Sequence, residues 1–213
     1  MRAMLLEFPA PIHENPLKSV DLPPPAPGPG QILIQVEYCG LCRTDLHLAE
    51  GELPPEHLPV IPGHQAVGKV VDQGPGVLRF QPGQPVGLAW LRRACGVCKF
   101  CRSGRENLCT QARFTGLHRD GGLAEIAVAH EDFVYPLPES LKGPEAAPLL
   151  GAGVLAYRAL KASGVQCGGT VGLYGFGAAA QLALMVARQW GCQVYVFSRS
   201  QAHQKLAREM GAV

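Results

Sequence analysis

No stretch of the sequence approaches the ~20 consecutive apolar residues of a membrane-spanning helix. At the N-terminus only Ala3 to Leu6 form an apolar run, between Arg2 and Glu7. That pattern is neither a signal peptide nor an anchor, so no membrane partner is expected and the cytoplasm is the expected location. An excess of charge of one sign is also missing. Nineteen Lys and Arg stand against 17 Asp and Glu, a formal net charge of +2, and the basic residues are not clustered. There is thus no electrostatic case for nucleic acid or an anionic lipid surface as partner. Without an export signal, the eight cysteines are read as metal ligands and free thiols rather than disulfides. Proline and glycine are plentiful, at 19 and 26, and point to many turns and short strands. The 213 residues, 47% of them apolar, suffice for one large domain or two small ones with a real core.

Two kinds of pattern divide the chain. Met1 to Leu6 has the form of an opening strand, and Leu22 to Gly30 is too rich in Pro and Gly to be anything but an extended connector. Ile32, Ile34, Val36 and Tyr38 fall on one face and Gln35 and Glu37 on the other, predicting a half-buried strand. That strand delivers Cys39-Gly40-Leu41-Cys42-Arg43-Thr44-Asp45-Leu46-His47, where Thr44 and Asp45 are candidate caps of a short helix. Prolines then enforce a loop up to Gly63-His64-Gln65, which opens a further strand, Ala66 to Val71. The pattern to about Pro138 is that of a mostly antiparallel β domain, and from Leu141 it turns helical. Helical pieces are expected at Pro144 to Leu150 and Val154 to Ala162, with an interruption near Gly151 to Gly153.

Cys95, Cys98, Cys101 and Cys109 have the spacing C-x2-C-x2-C-x7-C. Four thiolates make a closed tetrahedral zinc shell, a structural site that performs no chemistry. An iron–sulfur cluster is the alternative, but in that motif the fourth Cys follows after three residues and precedes Pro. Here Cys109 precedes Thr110. Cys42 and His64 offer a thiolate and an imidazole, two of the three protein ligands of a catalytic zinc.

Further on, Thr170 to Tyr174 is a short apolar strand running into Gly175-Phe176-Gly177-Ala178-Ala179-Ala180 and a helix through Trp190. A second strand, Gln193 to Phe197, and a helix from about Gln201 to Met210 follow. This is the opening of a doubly wound dinucleotide-binding sheet. Gly175 allows the tight turn, Gly177 lets a pyrophosphate approach the backbone, and the helix start, from Ala178, offers free N–H groups. After the second strand come Ser198, Arg199 and Ser200 with no acidic residue to hold a ribose 2′-hydroxyl. That favours NADP(H) over NAD(H), with Arg199 on the 2′-phosphate; the rival view of Arg199 is a solvated surface charge.

Taken together, residues 39–47, 63–65, the four-cysteine lobe and the turn at 175–180 resemble the zinc-dependent medium-chain alcohol dehydrogenases over nearly the whole chain. The resemblance implies an α/β protein: a GroES-like, mostly antiparallel β catalytic domain at 1–150, with its structural zinc lobe at 95–109, and the start of a Rossmann doubly wound parallel sheet at 151–213. It implies Cys42 and His64 as catalytic zinc ligands, Cys39 as a non-ligand, Asp45 behind His64, and Arg43 on the cofactor pyrophosphate. The implied reaction interconverts small-molecule alcohols and aldehydes, with zinc as Lewis acid and hydride passing to or from a nicotinamide. Thr44 and His47 are the implied catalytic relay that carries the alcohol proton to water; a partly buried helix histidine is the other view of His47. Trp90 is either a pocket wall or a core residue. A homo-oligomer is implied for the full-length protein.

Three departures from the family pattern bear on activity. Gly151-Ala152-Gly153 matches a segment that commonly reads Cys-Ala-Gly and supplies the third catalytic ligand, and Gln65 replaces a usual Glu. Lowered catalytic zinc affinity is the expectation. The chain also stops at Val213, before a third Rossmann strand, so a fragment that is inactive and poorly soluble alone is expected, with a sheet face left bare. A non-catalytic zinc- and nucleotide-binding relative is the competing class, and a zinc-independent reductase of the same superfamily a third.

Overall fold

Strands β1 (Arg2–Leu6) and β2 (Leu17–Asp21) form an antiparallel hairpin, and β3 (Gln31–Cys39) then starts the main sheet. The computed structural model describes all 213 residues, in two units, Met1–Leu150 and Gly151–Val213. In the first, β3 is joined by β4 (Ala66–Gln73), β5 (Pro85–Leu88), β8 (Ile126–His130) and β9 (Val134–Pro136). Their order is β8-β3-β4-β5-β9, antiparallel throughout. Bridges from Leu6 to Val60 and from Ala3 to Ala124 pin the hairpin to this unit.

The alternation in β3 does what period two requires. Ile32 and Ile34 are buried with Val70, Val86, Leu88, Ala129 and Val134. A fully buried side chain of this size contributes about 1.5–3 kcal/mol. Tyr38 departs from the expected face and is 43% exposed. The register against β4 shifts between Val36 and Tyr38, and such a bulge turns the following side chains over. Gly68 sits at this place, and a Cβ on it would meet the Gln35 carbonyl oxygen at 2.0 Å.

Helix α1 (Arg43–Ala49) follows β3 directly. Two short strands, β6 (Leu91–Arg93) and β7 (Arg113–Phe114), pair as a ribbon whose connection is the four-cysteine lobe. The expected helical piece at Pro144–Leu150 is a 3-10 helix. Pro148 inside it lacks the N–H that an α-helix needs. Ala146, Ala147 and Leu150 nevertheless bury against Val67 and Ala89.

The second unit runs α2 (Ala152–Ser163), β10 (Thr170–Tyr174), α3 (Ala178–Gln189), β11 (Gln193–Phe197), α4 (Gln201–Glu209). β10 and β11 are parallel, Thr170 beside Gln193 and Tyr174 beside Phe197. Val171, Leu173, Val194 and Val196 pack with Leu160, Leu184, Ala187 and Ala207 in one core. The alternate residues face the other way: Tyr174 is 84% exposed and stacks on exposed Phe197 at 4.7 Å. The interruption expected near Gly151 to Gly153 is narrower, since Gly151 caps α2 and Gly153 lies inside it. The antiparallel first unit and the strand–helix alternation of the second agree with the expected fold class. No helix is long and apolar enough to cross a membrane.

Candidate functional site

The bulge at the end of β3 and the start of α1 place Cys42 at a helix N-cap rather than in the strand. Its Sγ accepts the Thr44 N–H at 3.3 Å, and the Asp45 carboxylate accepts the Cys42 N–H at 2.8 Å. The cap is therefore Cys42, with Asp45 completing the reciprocal box and Thr44 giving its N–H to the cap sulfur. His64 reaches the same point from the loop before β4. Gly63 makes that approach possible: its φ is +95°, and a Cβ there would lie 2.7 Å from the Leu123 backbone nitrogen. His64 Nε2 lies 3.5 Å from Cys42 Sγ, and its Nδ1 lies 3.5 Å from Asp45 Oδ1.

These distances suit one ion. Sulfur at about 2.3 Å and nitrogen at about 2.05 Å from a tetrahedral zinc stand about 3.6 Å apart. Without an ion the three groups hold each other's charge. Burial opposes charging His64, but the carboxylate of Asp45 and the Cys42 sulfur outweigh it and push the imidazole up to about 9. Burial likewise opposes the Cys42 thiolate, and the contacts from His64 and Thr44 overcome it, lowering this thiol below its usual range. Cys39 goes the other way: burial drives it to about 12, an inert thiol. Its Sγ would come within 2.9 Å of a Cβ at Gly63, so it packs beneath the loop.

Cys42, Asp45 and His64 are the donors gathered here, and Asp45 is occupied behind the imidazole and the cap. Gln65 adds none. It is buried, and its Nε2 donates to the Gly40 carbonyl at 3.4 Å, tying the Cys39–Cys42 loop. The donor set of this chain is thus incomplete for a three-ligand catalytic ion.

The rest of α1 carries the other candidates. Arg43 is exposed on its first turn, Thr44 half-buried, and His47 one turn further on. His47 Nδ1 contacts the Glu52 carboxylate, a partner that the motif alone did not reveal. The turn Glu50-Gly51-Glu52, with Gly51 at φ +82° and the Leu53 N–H returned to the His47 carbonyl, is the signal that could have found it. Trp90 makes a T-shaped contact with His64 at 4.8 Å and lies face to face with Phe114 at 4.9 Å.

At the lobe, Cys95, Cys98, Cys101 and Cys109 converge. Sγ of Cys101 is 3.8 Å from that of Cys95 and 3.5 Å from that of Cys98. Thiolates on one tetrahedral zinc stand about 3.8 Å apart, whereas a [4Fe–4S] cluster puts each thiolate on a different iron. N–H groups aim at the sulfurs, Cys98 at Cys95, and Cys95 and Gln111 at Cys109. Those of Val97 and Cys98 bring Cys95 down to about 6, while burial and the neighbouring thiols push Cys101 up to about 12. Four thiolates at this spacing repel one another, and a dication at the centre relieves it.

In the second unit, Gly175 turns at φ +85°, and nothing lies within 4 Å of a Cβ on Gly175 or Gly177. The open backbone there, leading into Ala178 at the start of α3, is a cradle for phosphate. At the end of β11 a hollow of about 420 Å³ is lined by Val196, Phe197, Ser198, Arg199 and Gln204. Gln204 Nε2 holds the Ser198 carbonyl at 2.6 Å, Ser200 caps α4, and the Arg199 side chain is exposed.

Comparison with known proteins places this geometry among relatives. The model of the alcohol dehydrogenase GroES-like domain matches residues 28–139. The probable alcohol dehydrogenase AdhA of Mycobacterium tuberculosis is 44% identical over all of this chain and 63% of its own length. The cobalt- and zinc-bound thermostable alcohol dehydrogenase from Pyrobaculum aerophilum superposes with a TM-score of 0.90 at 31% identity, over 100% of this chain and 64% of that one. CAD from Helicobacter pylori, complexed with NADP(H), does so with a TM-score of 0.87 at 31% identity, again over 100% and 64%. The chain therefore spans a little under two thirds of the length of the proteins it matches.

Proposed function

This chain belongs to the zinc-dependent medium-chain alcohol dehydrogenases, and from that premise we propose that it serves a zinc-dependent oxidoreductase interconverting small-molecule alcohols and aldehydes. The observation that carries this is the pairing of Cys42 and His64 at 3.5 Å, with Asp45 buried behind the imidazole. Zinc bound there would supply Lewis acidity, and a nicotinamide dinucleotide would take or give the hydride. Asp45 orients the His64 ring and fixes which nitrogen faces Cys42. Thr44 and His47, one turn apart on α1, form the proton path, and the contact from Glu52 holds the His47 ring at its outer end. In the second unit the Gly175–Ala178 backbone would cradle the pyrophosphate, and Ser198 and Arg199 favour NADP(H) over NAD(H); in the first, Arg43 offers a guanidinium suited to a phosphate.

The lobe takes the structural zinc. Its four sulfurs meet at single-ion spacing, so it fits the ion fully, while the Cys42–His64 pair fits it only in part. That contrast favours a second reading, a zinc- and nucleotide-binding relative that does not turn over. Gly151 supplies no side chain where the family carries a cysteine, and Gln65 spends its amide on Gly40. Elemental analysis of the folded protein separates the two. About two zinc ions per chain supports the dehydrogenase, with water completing the shell; about one leaves only the lobe loaded and overturns it.

A further inference from the structure

The ribbon that carries the lobe also frames His64. Leu91 of β6 pairs with Phe114 of β7, the Trp90 carbonyl accepts the Thr115 N–H at 2.9 Å, and the Ala89 carbonyl accepts the Thr115 hydroxyl at 2.8 Å. Thr115 is fully buried, so this clamp is shielded from water. All four cysteines lie on the excursion between these two clamped strands. An ion holding them fixes where β7 emerges from the lobe relative to β6.

Phe114 is the residue that belongs to both sides. It packs against the lobe with Cys101, Cys109 and Ala112, and against Leu6, Leu48, Val60 and Leu117 on the site side. Its ring lies nearly parallel to that of Trp90, 11° between planes, and Trp90 in turn makes a T-shaped contact with His64 at 72°. A stacked pair fixes the tilt of both rings in a way that an aliphatic contact does not. The Phe114 N–H is bonded to His118 Nδ1 at 3.1 Å, which holds the backbone under the ring.

We propose that Phe114 is a positioning residue, which transmits the state of the four-cysteine lobe to the Trp90 ring and through it to His64. Metal in the lobe then does more than stabilise a loop: it sets one wall of the site. The bearing on catalysis rests on the reading of His64 given above, whereas the contact chain does not, and its test needs no turnover.

The chain has two tryptophans, so Trp190→Phe leaves Trp90 as the sole reporter, and adding Cys42→Ser confines the response to the lobe. In that background, fluorescence is recorded with zinc loaded and after chelation, with zinc loss confirmed by elemental analysis and the β-sheet by circular dichroism. Chelation is expected to shift Trp90 emission to the red and to lower its anisotropy while the sheet signal holds. Phe114→Leu, at saturating zinc, is expected to give the same change with the lobe still loaded, and chelation then adds little. An emission spectrum unmoved by chelation overturns the proposal. So does a Phe114→Leu spectrum like that of the parent, or two effects that simply add. Zinc content at the Cys42–His64 site, the measure of the dehydrogenase reading, does not enter any of these outcomes.

Discussion

Gly63→Ala is the sharpest test of how the His64 loop is held. Two costs are legible in the structure. The first is conformational: φ at Gly63 is +95°, and a residue with a Cβ held at positive φ pays about 1–2 kcal/mol. The second is steric. The new Cβ would stand 2.7 Å from the Leu123 backbone nitrogen, 2.9 Å from the Leu123 Cγ and 2.9 Å from Cys39 Sγ. Relieving such an overlap in a packed site costs about 1–3 kcal/mol. The sum is about 2–5 kcal/mol. Gly76→Ala is the matched control, with φ of +81° and nothing within 4 Å of its Cβ, so only the ~1–2 kcal/mol of strain applies. Urea and thermal unfolding followed by Trp90 emission, in a Trp190→Phe background, read both variants, with the melting temperature falling by ~2–4 °C per kcal/mol for a unit of this size. Gly63→Ala should be the worse by ~1–3 kcal/mol, and its zinc content should drop with it because His64 is displaced. Equal losses in the two variants would refute the argument, since the close approach to Leu123 would then carry no weight.

Asp45→Asn keeps an oxygen to accept the Cys42 N–H but removes the charge behind His64, so α1 should persist while zinc affinity at that pair falls ~10–100-fold. Competition with a fluorescent chelator measures this, and an unchanged affinity sinks the orienting role. Gly151→Cys restores a thiolate where the family has one, so the zinc affinity of the Cys42–His64 pair should rise; an unchanged affinity in the same chelator competition removes the explanation. Arg199→Ala should weaken NADPH binding ~10–100-fold, the loss of a charged hydrogen bond, and leave NADH nearly untouched. Equal losses for both dinucleotides, by fluorescence titration, would return Arg199 to the status of a solvated charge.

Much of this architecture is readable from local chemistry. Thr170 to Tyr174 and Gln193 to Phe197 are apolar runs closed by glycine or by Ser198-Arg199-Ser200, and the strands occupy those spans. The four-cysteine spacing is readable because all four ligands of that lobe fall in one short segment. What escaped depends on contacts that period and propensity do not encode. Tyr38 turns outward because of a bulge opposite Gly68, a fact about the partner strand. Cys42 takes the cap that Thr44 and Asp45 seemed made for, because its sulfur lies in line with the Thr44 N–H. Phe114 carries no motif at all; only the ring on the far side of the ribbon gives it meaning.

The placement of the lobe between β6 and β7 also bears on the order in which the chain assembles. Closing the lobe needs only neighbours in sequence, while pairing Gln31 with His130 joins residues roughly 100 positions apart. A lobe already closed shortens that loop by about a seventh, worth only ~0.1 kcal/mol of closure entropy. Its effect is therefore on sequence of events. The four thiols can capture their ion while the chain is still emerging, before β8 exists to find β3. The Cys42–His64 pair cannot, because the loop that presents His64 rests on Leu123 and Gly121, and these come later in the chain. The expected order of metal uptake is therefore staged, the lobe ahead of the Cys42–His64 pair, and time-resolved zinc binding during refolding checks it.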